Sequence, residues 1–90
     1  MRVTLLYFAI ARERAGTDRE AFELPDGATA GQAKARALEA HPALQPIAAH
    51  LRVAVDQVFA PDAQPLEDGA EIALIPPVSG GGDARRSSPS

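Results

Sequence analysis

Apolar residues recur along the chain in the short patterns that β-strands produce. Residues 3–10 form a nearly continuous apolar run with β-branched and aromatic side chains, which predicts a central strand buried on both faces. Residues 20–24 and 51–56 alternate polar and apolar positions, the period of a strand with one face in water. Residues 71–75 form the last predicted strand, and residues 58–59 suffice only for a minor strand or bridge. The first two strands are expected to form a hairpin.

One longer segment has the start and stop signals of an α-helix. Thr29 and Gln32 form a capping-box pattern. No helix breaker follows Gly31, and Pro42 ends the segment, which predicts a helix over residues 30–40. Its expected inward face has small side chains that bury little area per turn: Ala30, Ala33, Ala37 and Leu38.

The order of these elements predicts the fold class. Two strands, a helix and further strands on so short a chain favour an α+β fold, with a mixed sheet wrapped around one main helix. Residues 12–16 are expected to form a turn or short helical loop, and residues 43–50 a loose connection. Residues 82–90 contain almost no apolar side chain, so we expect a folded domain over residues 1–81 and a disordered C-terminal extension.

Charge and cysteine content exclude several function classes. Residues 1–81 hold seven Lys and Arg against eleven Asp and Glu, a formal charge of −4. This acidic body argues against a nucleic-acid partner, because phosphate binding needs a basic face. The absence of cysteine excludes a disulfide scaffold, a thiolate metal site and a nucleophilic thiol.

The N-terminal apolar run loosely imitates a signal peptide. It is short and follows a single positive charge at Arg2, and its removal would also remove the most strand-like segment. We therefore expect a cytoplasmic protein. No apolar run is long enough to span a membrane.

Side chains suited to catalysis or metal binding are scarce. His41 and His50 are expected to be solvated loop residues, because nothing near either has metal-ligand spacing. Three carboxylates flank a turn and indicate a solvated loop, with calcium binding as the alternative: Glu67, Asp68 and Glu71. The glycine run after the last strand has no helix behind it, so it lacks a phosphate cradle. We expect no bound cofactor or metal.

The remaining candidate for chemistry is the backbone at residues 76–81. Pro76 and Pro77 stiffen the chain just after the last strand. Gly80 and Gly81 follow, and because they have no Cβ they suit passage through a narrow channel into a partner protein's active site. Fully extended, this segment reaches about 20 Å, enough to place a terminal carboxylate in another protein's active site. The alternative is a flexible linker or a frayed end.

These C-terminal residues resemble a known family. The sequence D-G-A-E-I-A at residues 68–73 and P-P-V-S-G-G at residues 76–81 resemble the signature of the small subunit of molybdopterin synthase, a ubiquitin-like sulfur carrier. Residues 7–16 are similar to the family's first strand and loop. Residues 53–57 are similar to its third strand, where asparagine is more usual than Asp56. The resemblance implies a ubiquitin-like β-grasp fold.

The resemblance also implies a mechanism. Gly81 would carry the carboxylate that an adenylyltransferase activates with ATP and magnesium, and a sulfurtransferase relay would convert it to a thiocarboxylate. The large synthase subunit would receive residues 76–81 and use the sulfur to build molybdopterin from cyclic pyranopterin monophosphate. Gly80 would keep the passage slim. A heterotetramer of two small and two large subunits is implied.

A partner-binding surface is expected near the end of the last strand. Its candidate residues are Phe8, Phe59, Ile75, Pro76, Pro77 and Val78. The apolar candidates fit the core equally well, and for Phe8 and Phe59 the core is slightly preferred.

The chain departs from the family pattern after the second glycine. In the family this glycine is the last residue, whereas here Gly81 is bonded to Gly82 and offers no carboxylate to adenylate. Three explanations stay open: a protease trims residues 82–90, the carrier activity is lost and a protein-binding module remains, or the extra residues are an extension without a role. A carrier for another pathway, such as thiamin or cysteine synthesis, is also open, since a β-grasp fold ending in Gly-Gly serves several.

Overall fold

The computed structural model describes residues 1–77. Its elements are β1 Arg2–Tyr7, α1 Ile10–Ala15, β2 Arg19–Glu23, α2 Ala30–Ala40, a 3₁₀ helix Pro42–His50, β3 Arg52–Val55, β4 Val58–Phe59 and β5 Glu71–Ile75. Every predicted strand and the predicted main helix are present, so the α+β architecture is confirmed.

The strands form one mixed sheet with the order β2-β1-β5-β3-β4. β1 pairs antiparallel with β2, as the predicted hairpin requires, and parallel with β5. On its other side β5 pairs antiparallel with β3, and β3 pairs antiparallel with the short edge strand β4. β5 is therefore held between two neighbours, and the chain leaves it at Ile75.

The helix α2 packs against β1, β3 and β5 on one face of the sheet. Most strand residues that point to this face are buried, and the largest fully buried ones include Leu5, Ile72 and Leu74, with Tyr7 nearly so. From α2 the buried residues are Ala30, Ala33 and Ala37, while Leu38 is only partly buried. Small side chains on α2 let the helix lie close to the sheet, so larger strand residues supply most of the core volume.

The start of α2 is held by its own cap and by a neighbouring loop. The Thr29 hydroxyl accepts a hydrogen bond from the Gln32 N–H, and the Gln32 side chain accepts one from the Thr29 N–H, which confirms the predicted capping box. The N–H of Ala30 donates to the carbonyl of Gln64 at 2.9 Å. Gly31 donates in the same way to Asp62 at 2.9 Å, so the loop between β4 and β5 satisfies two of the helix's first N–H groups.

The structure differs from the predictions in the extent and burial of β1 and in the segment that follows α2. β1 ends at Tyr7 and not at Ile10, because Ala9 has φ 53° and ψ −127°, a conformation incompatible with a strand. Burial also alternates along β1 between buried and half-buried, so the prediction of burial on both faces is wrong: the helices cover one face only. Residues 43–50, expected to be a loose connection, form most of the 3₁₀ helix, which the buried Leu44 anchors to the core.

Candidate functional site

The face of the sheet opposite α2 carries a line of apolar side chains. The pairing register places four residues side by side across β1, β5, β3 and β4: Leu6, Ala73, Ala54 and Phe59. Paired residues of neighbouring strands point to the same face, so this line is continuous. Ile75 continues the same face at the end of β5.

Two phenylalanines extend from this face into solvent. Phe8 is 46% exposed and Phe59 is 56% exposed, so the slight preference for the core at these positions is wrong. Phe59 lies on a two-residue edge strand that no element within residues 1–77 covers, and Phe8 directly precedes the turn at Ala9. The third phenylalanine, Phe22, is 8% exposed and belongs to the core.

These residues surround a shallow concavity of about 370 Å³, lined by Leu6, Phe8, Ala54, Gln57, Phe59, Glu71, Ala73 and Ile75. The six apolar residues among them are called the apolar patch below. Exposed apolar residues grouped in this way, with polar residues at the border, are typical of protein interaction sites. The concavity therefore suits the side chains of a protein partner.

The C-terminal segment leaves the sheet beside the apolar patch. Ile75 and Pro76 are half-buried, and Pro77 is exposed. The structure thus brings together three of the predicted partner-binding residues, Phe8, Phe59 and Ile75, and Pro76 and Pro77 follow directly after Ile75. The predictions for Val78, Gly80 and Gly81 fall outside the described residues and stay predictions.

Sequence reasoning missed the polar residues at the border of the patch. The guanidinium carbon of Arg52 lies 4.3 Å from the centre of the Phe59 ring. Gln57 and Glu71 line the concavity at its other side. The alternation of β3 was the available signal, because it places Arg52 on the same face as Ala54.

The turn between β3 and β4 is tightly defined. Asp56 and Gln57 have φ values of 49° and 74°, as a two-residue hairpin of type I′ requires. The Asp56 carboxylate accepts a hydrogen bond from the N–H of Glu71 at 3.0 Å, and the Asp56 N–H donates to the Glu71 carbonyl at 2.9 Å. These bonds tie the turn to β5 and so help to fix the position of Phe59 within the apolar patch.

A second polar cluster lies on the helix side of the sheet. The Tyr7 hydroxyl donates to Oε1 of Glu20 at 3.1 Å, and Nε2 of His41 lies 2.6 Å from the same oxygen. The His41 ring also meets the Tyr7 ring edge-on at 5.6 Å between centroids. The expectation of a solvated His41 is therefore wrong. Burial and the Glu20 carboxylate raise the pKa of Tyr7 above its ordinary value. Each group has a partner, so the cluster fastens the end of α2 to β1 and β2.

One of the three carboxylates near the turn at Gly69, that of Asp68, has a structural role. The Asp68 carboxylate accepts a hydrogen bond from the N–H of Arg2 at 2.8 Å, and the Gly69 N–H donates to the Arg2 carbonyl at 2.7 Å. Between residues 1 and 77, no group of three or more His, Asp or Glu could hold a metal ion. In the same stretch no helix is long and apolar enough to cross a membrane.

Comparison with known proteins gives consistent matches. Residues 5–81 match the model of the ThiS family. The molybdopterin synthase sulfur carrier subunit of Chlamydomonas reinhardtii is 42% identical, and the alignment covers 90% of this chain and 100% of that protein. The protein of the same description from Mycobacterium tuberculosis is 35% identical, with 90% of this chain and 99% of that protein covered.

Solved structures agree in fold. A putative molybdopterin converting factor, subunit 1, from Pyrococcus furiosus has a TM-score of 0.79 at 28% identity, covering 87% of this chain and 99% of its own. Small archaeal modifier protein 1 from Haloferax volcanii has a TM-score of 0.79 at 28% identity, covering 86% and 98%. The five-stranded mixed sheet packed on one main helix is accordingly the ubiquitin-like β-grasp fold. The chain therefore belongs to the ThiS family, and its curated relatives are molybdopterin synthase sulfur carrier subunits.

Proposed function

We propose that this protein is the sulfur carrier and small subunit of molybdopterin synthase, and that it delivers sulfur as a thiocarboxylate on Gly81. The observation that carries the proposal is the likeness to a sulfur carrier subunit of that synthase, 42% identical over that protein's whole length. The family match ends at residue 81, which is the second glycine of the P-P-V-S-G-G sequence.

The described structure has the form that such a carrier requires. β5 is paired on both sides, so it anchors the segment that starts at Pro76. The apolar patch lies beside that starting point and offers a partner two exposed aromatic anchors, Phe8 and Phe59. Because residues 76–81 span about 20 Å when extended, a partner bound at the patch can receive Gly81 deep in its own active site.

The chemistry is divided between this chain and its partners. An activating enzyme joins the Gly81 carboxylate to AMP, using ATP and magnesium and releasing pyrophosphate, and a sulfurtransferase relay then replaces AMP with sulfur. The large synthase subunit receives residues 76–81 and transfers the sulfur to cyclic pyranopterin monophosphate. Gly80 keeps the end of the segment narrow, since it adds no Cβ in the partner's channel. We place these steps in the cytoplasm.

A thiocarboxylate on Gly81 requires the removal of residues 82–90. The Gly81 carbonyl belongs to the amide bond with Gly82, so hydrolysis of that bond by a protease must come before adenylation. The Arg85-Arg86 pair is a dibasic sequence of the kind that proteases recognise. Cleavage there leaves residues beyond Gly81, so a second trimming step completes the processing.

The intact mass of the protein purified from its own cells tests the proposal. We expect a species that ends at Gly81, with a fraction heavier by the difference between sulfur and oxygen. Gly81→Ala should abolish the sulfur-bearing fraction and leave the fold intact, whereas the control Ser79→Ala, which adds no bulk to the same segment, should retain it. A mass of all 90 residues in every molecule would refute the carrier function.

A second candidate function is protein modification, in which Gly81 is joined covalently to another protein. It is favoured by the likeness to small archaeal modifier protein 1, which has a TM-score of 0.79. Both functions need the same processed end. Denaturing electrophoresis with an antibody to this chain separates them: larger covalent adducts that disappear with Gly81→Ala support modification, and their absence beside a thiocarboxylate supports the carrier.

A further inference from the structure

Arg52 is a cation at the Phe59 border of the apolar patch, as Arg19 is at the Leu6 border. Arg52 is the first residue of β3 and pairs with Ile75, the last residue of β5. Its guanidinium carbon is 4.3 Å from the centre of the Phe59 ring, within the range of cation–π attraction. The guanidinium is therefore held over the patch, beside the point where the C-terminal segment leaves the sheet.

This guanidinium has no carboxylate partner at ion-pair distance between residues 1 and 77, where the ion pairs join other groups. The backbone of Glu71, the acid on the same face of β5, lies about 13 Å along the strand from Ile75, the residue that pairs with Arg52. Arg36 provides the contrast, because it stacks on Phe22 at 5.0 Å but also pairs with Glu39 at 3.8 Å. The stacked Arg52 keeps its N–H groups available to a partner.

We propose that Arg52 determines partner specificity: the protein surface that covers the apolar patch presents an Asp or Glu carboxylate that pairs bidentately with the Arg52 guanidinium. The inference rests on the proposed function and adds the chemistry of the large subunit's contact surface. A planar carboxylate matches the fork of N–H donors on a stacked guanidinium. A surface without that carboxylate would bury an unpaired charge, which is strongly unfavourable.

The overall charge of the domain makes this contact discriminating. Residues 1–81 carry a formal charge of −4, so the long-range field favours the approach of a basic surface. Arg52 requires an acid at one point of that surface. A uniformly basic surface would leave the Arg52 guanidinium without a carboxylate partner, and the acidic domain would repel a uniformly acidic surface. Few surfaces are basic overall and also carry an acid opposite Arg52, so the contact discriminates between partners.

The test compares variants with the same change in net charge, Arg52→Glu and Arg36→Glu. Each is expressed as the full chain in its own cells and its affinity for the molybdopterin synthase large subunit is measured by titration calorimetry, with circular dichroism to verify folding. Arg52→Glu should weaken binding about a hundredfold, Arg52→Lys about tenfold, and Arg36→Glu less than about threefold. One Asp→Arg or Glu→Arg substitution in the large subunit should restore the binding of Arg52→Glu.

Several results would overturn the inference. Equal losses for Arg52→Glu and Arg36→Glu would show that only net charge matters, and tighter binding by Arg52→Glu would show a basic group opposite this position. A dimer of this chain that Arg52→Glu dissociates would identify a second copy as the occupant of the patch. If the unmodified protein does not bind the large subunit at all, the proposed function itself fails, which distinguishes that failure from the loss of Arg52 dependence alone.

Discussion

Replacing Phe59 with alanine should cost more free energy of partner binding than free energy of folding. Phe59 is 56% exposed, so somewhat under half of its surface is removed from water in the domain. A fully buried phenylalanine contributes about 3–5 kcal/mol on truncation to alanine, part of which is the cavity left behind. An edge position leaves no closed cavity, so we expect Phe59→Ala to lower the free energy of unfolding by about 1 kcal/mol, including the lost stacking with Arg52.

Phe22 provides a matched control with the same side chain in the core. It is 8% exposed, so Phe22→Ala should cost the full amount of about 3–5 kcal/mol and reduce the melting temperature severely. Urea unfolding monitored by circular dichroism measures both losses. The same two variants are then titrated with the large subunit. Truncation of a central aromatic anchor costs about 2 kcal/mol of binding free energy or more, so Phe59→Ala should lower the affinity about thirtyfold.

Two outcomes would refute this reasoning. A loss of folding stability in Phe59→Ala as large as that in Phe22→Ala would mean that Phe59 is a core residue. Unchanged affinity in a folded Phe59→Ala protein would mean that the apolar patch is not the docking surface. Measuring stability and affinity on the same samples keeps these two outcomes separate.

Three further predictions concern the fold around the site. Ala9→Gly should stabilise the protein by about 1 kcal/mol, because φ 53° and ψ −127° strain any residue with a Cβ. Gly31→Ala should destabilise it by about 1 kcal/mol despite the helix propensity of alanine, because the new Cβ would lie 2.9 Å from Cβ of Asp62. Burial and the Glu20 carboxylate raise the pKa of Tyr7 in the folded state, so only the unfolded chain ionises Tyr7 just above pH 10 and stability should fall as pH rises. Tyr7→Phe should remove that part of the alkaline loss, measured by urea unfolding between about pH 9 and 11.

Matched controls decide these predictions. Ala21→Gly on the exposed side of β2 should cost about 0.5–1 kcal/mol, opposite in sign to Ala9→Gly. The control for Gly31→Ala is Ala35→Gly on the exposed side of α2, which measures the difference in helix propensity between alanine and glycine alone. If Gly31→Ala stabilised the protein, the loop at Asp62 would have moved without cost. An alkaline loss unchanged in Tyr7→Phe would assign it to other groups.

The candidate site was predictable in part. The proline and glycine sequence of residues 76–81 stands out without any tertiary structure. Pro76 ends the last predicted strand, so the sequence alone also places Ile75 directly before this segment. His41 was misjudged because its partners, Glu20 and Tyr7, come from β2 and β1 and are far away in the chain. A single sequence offers no measure of such long-range partners.

Local physical chemistry in the sequence determined where α2 and β5 begin and end. Capping residues, alternation and prolines act within a few positions of one another, so the bounds of α2 and β5 follow from neighbouring residues alone. Tertiary structure decided which apolar residues are buried. Phe8, Phe22 and Phe59 are identical in hydropathy, and only strand order and the placement of α2 leave two of them in water. The register of β3 on β5 likewise places Arg52 opposite Ile75. A slip by one residue would turn the buried side chains of β3 away from α2, so burial of the helix-side face fixes this register.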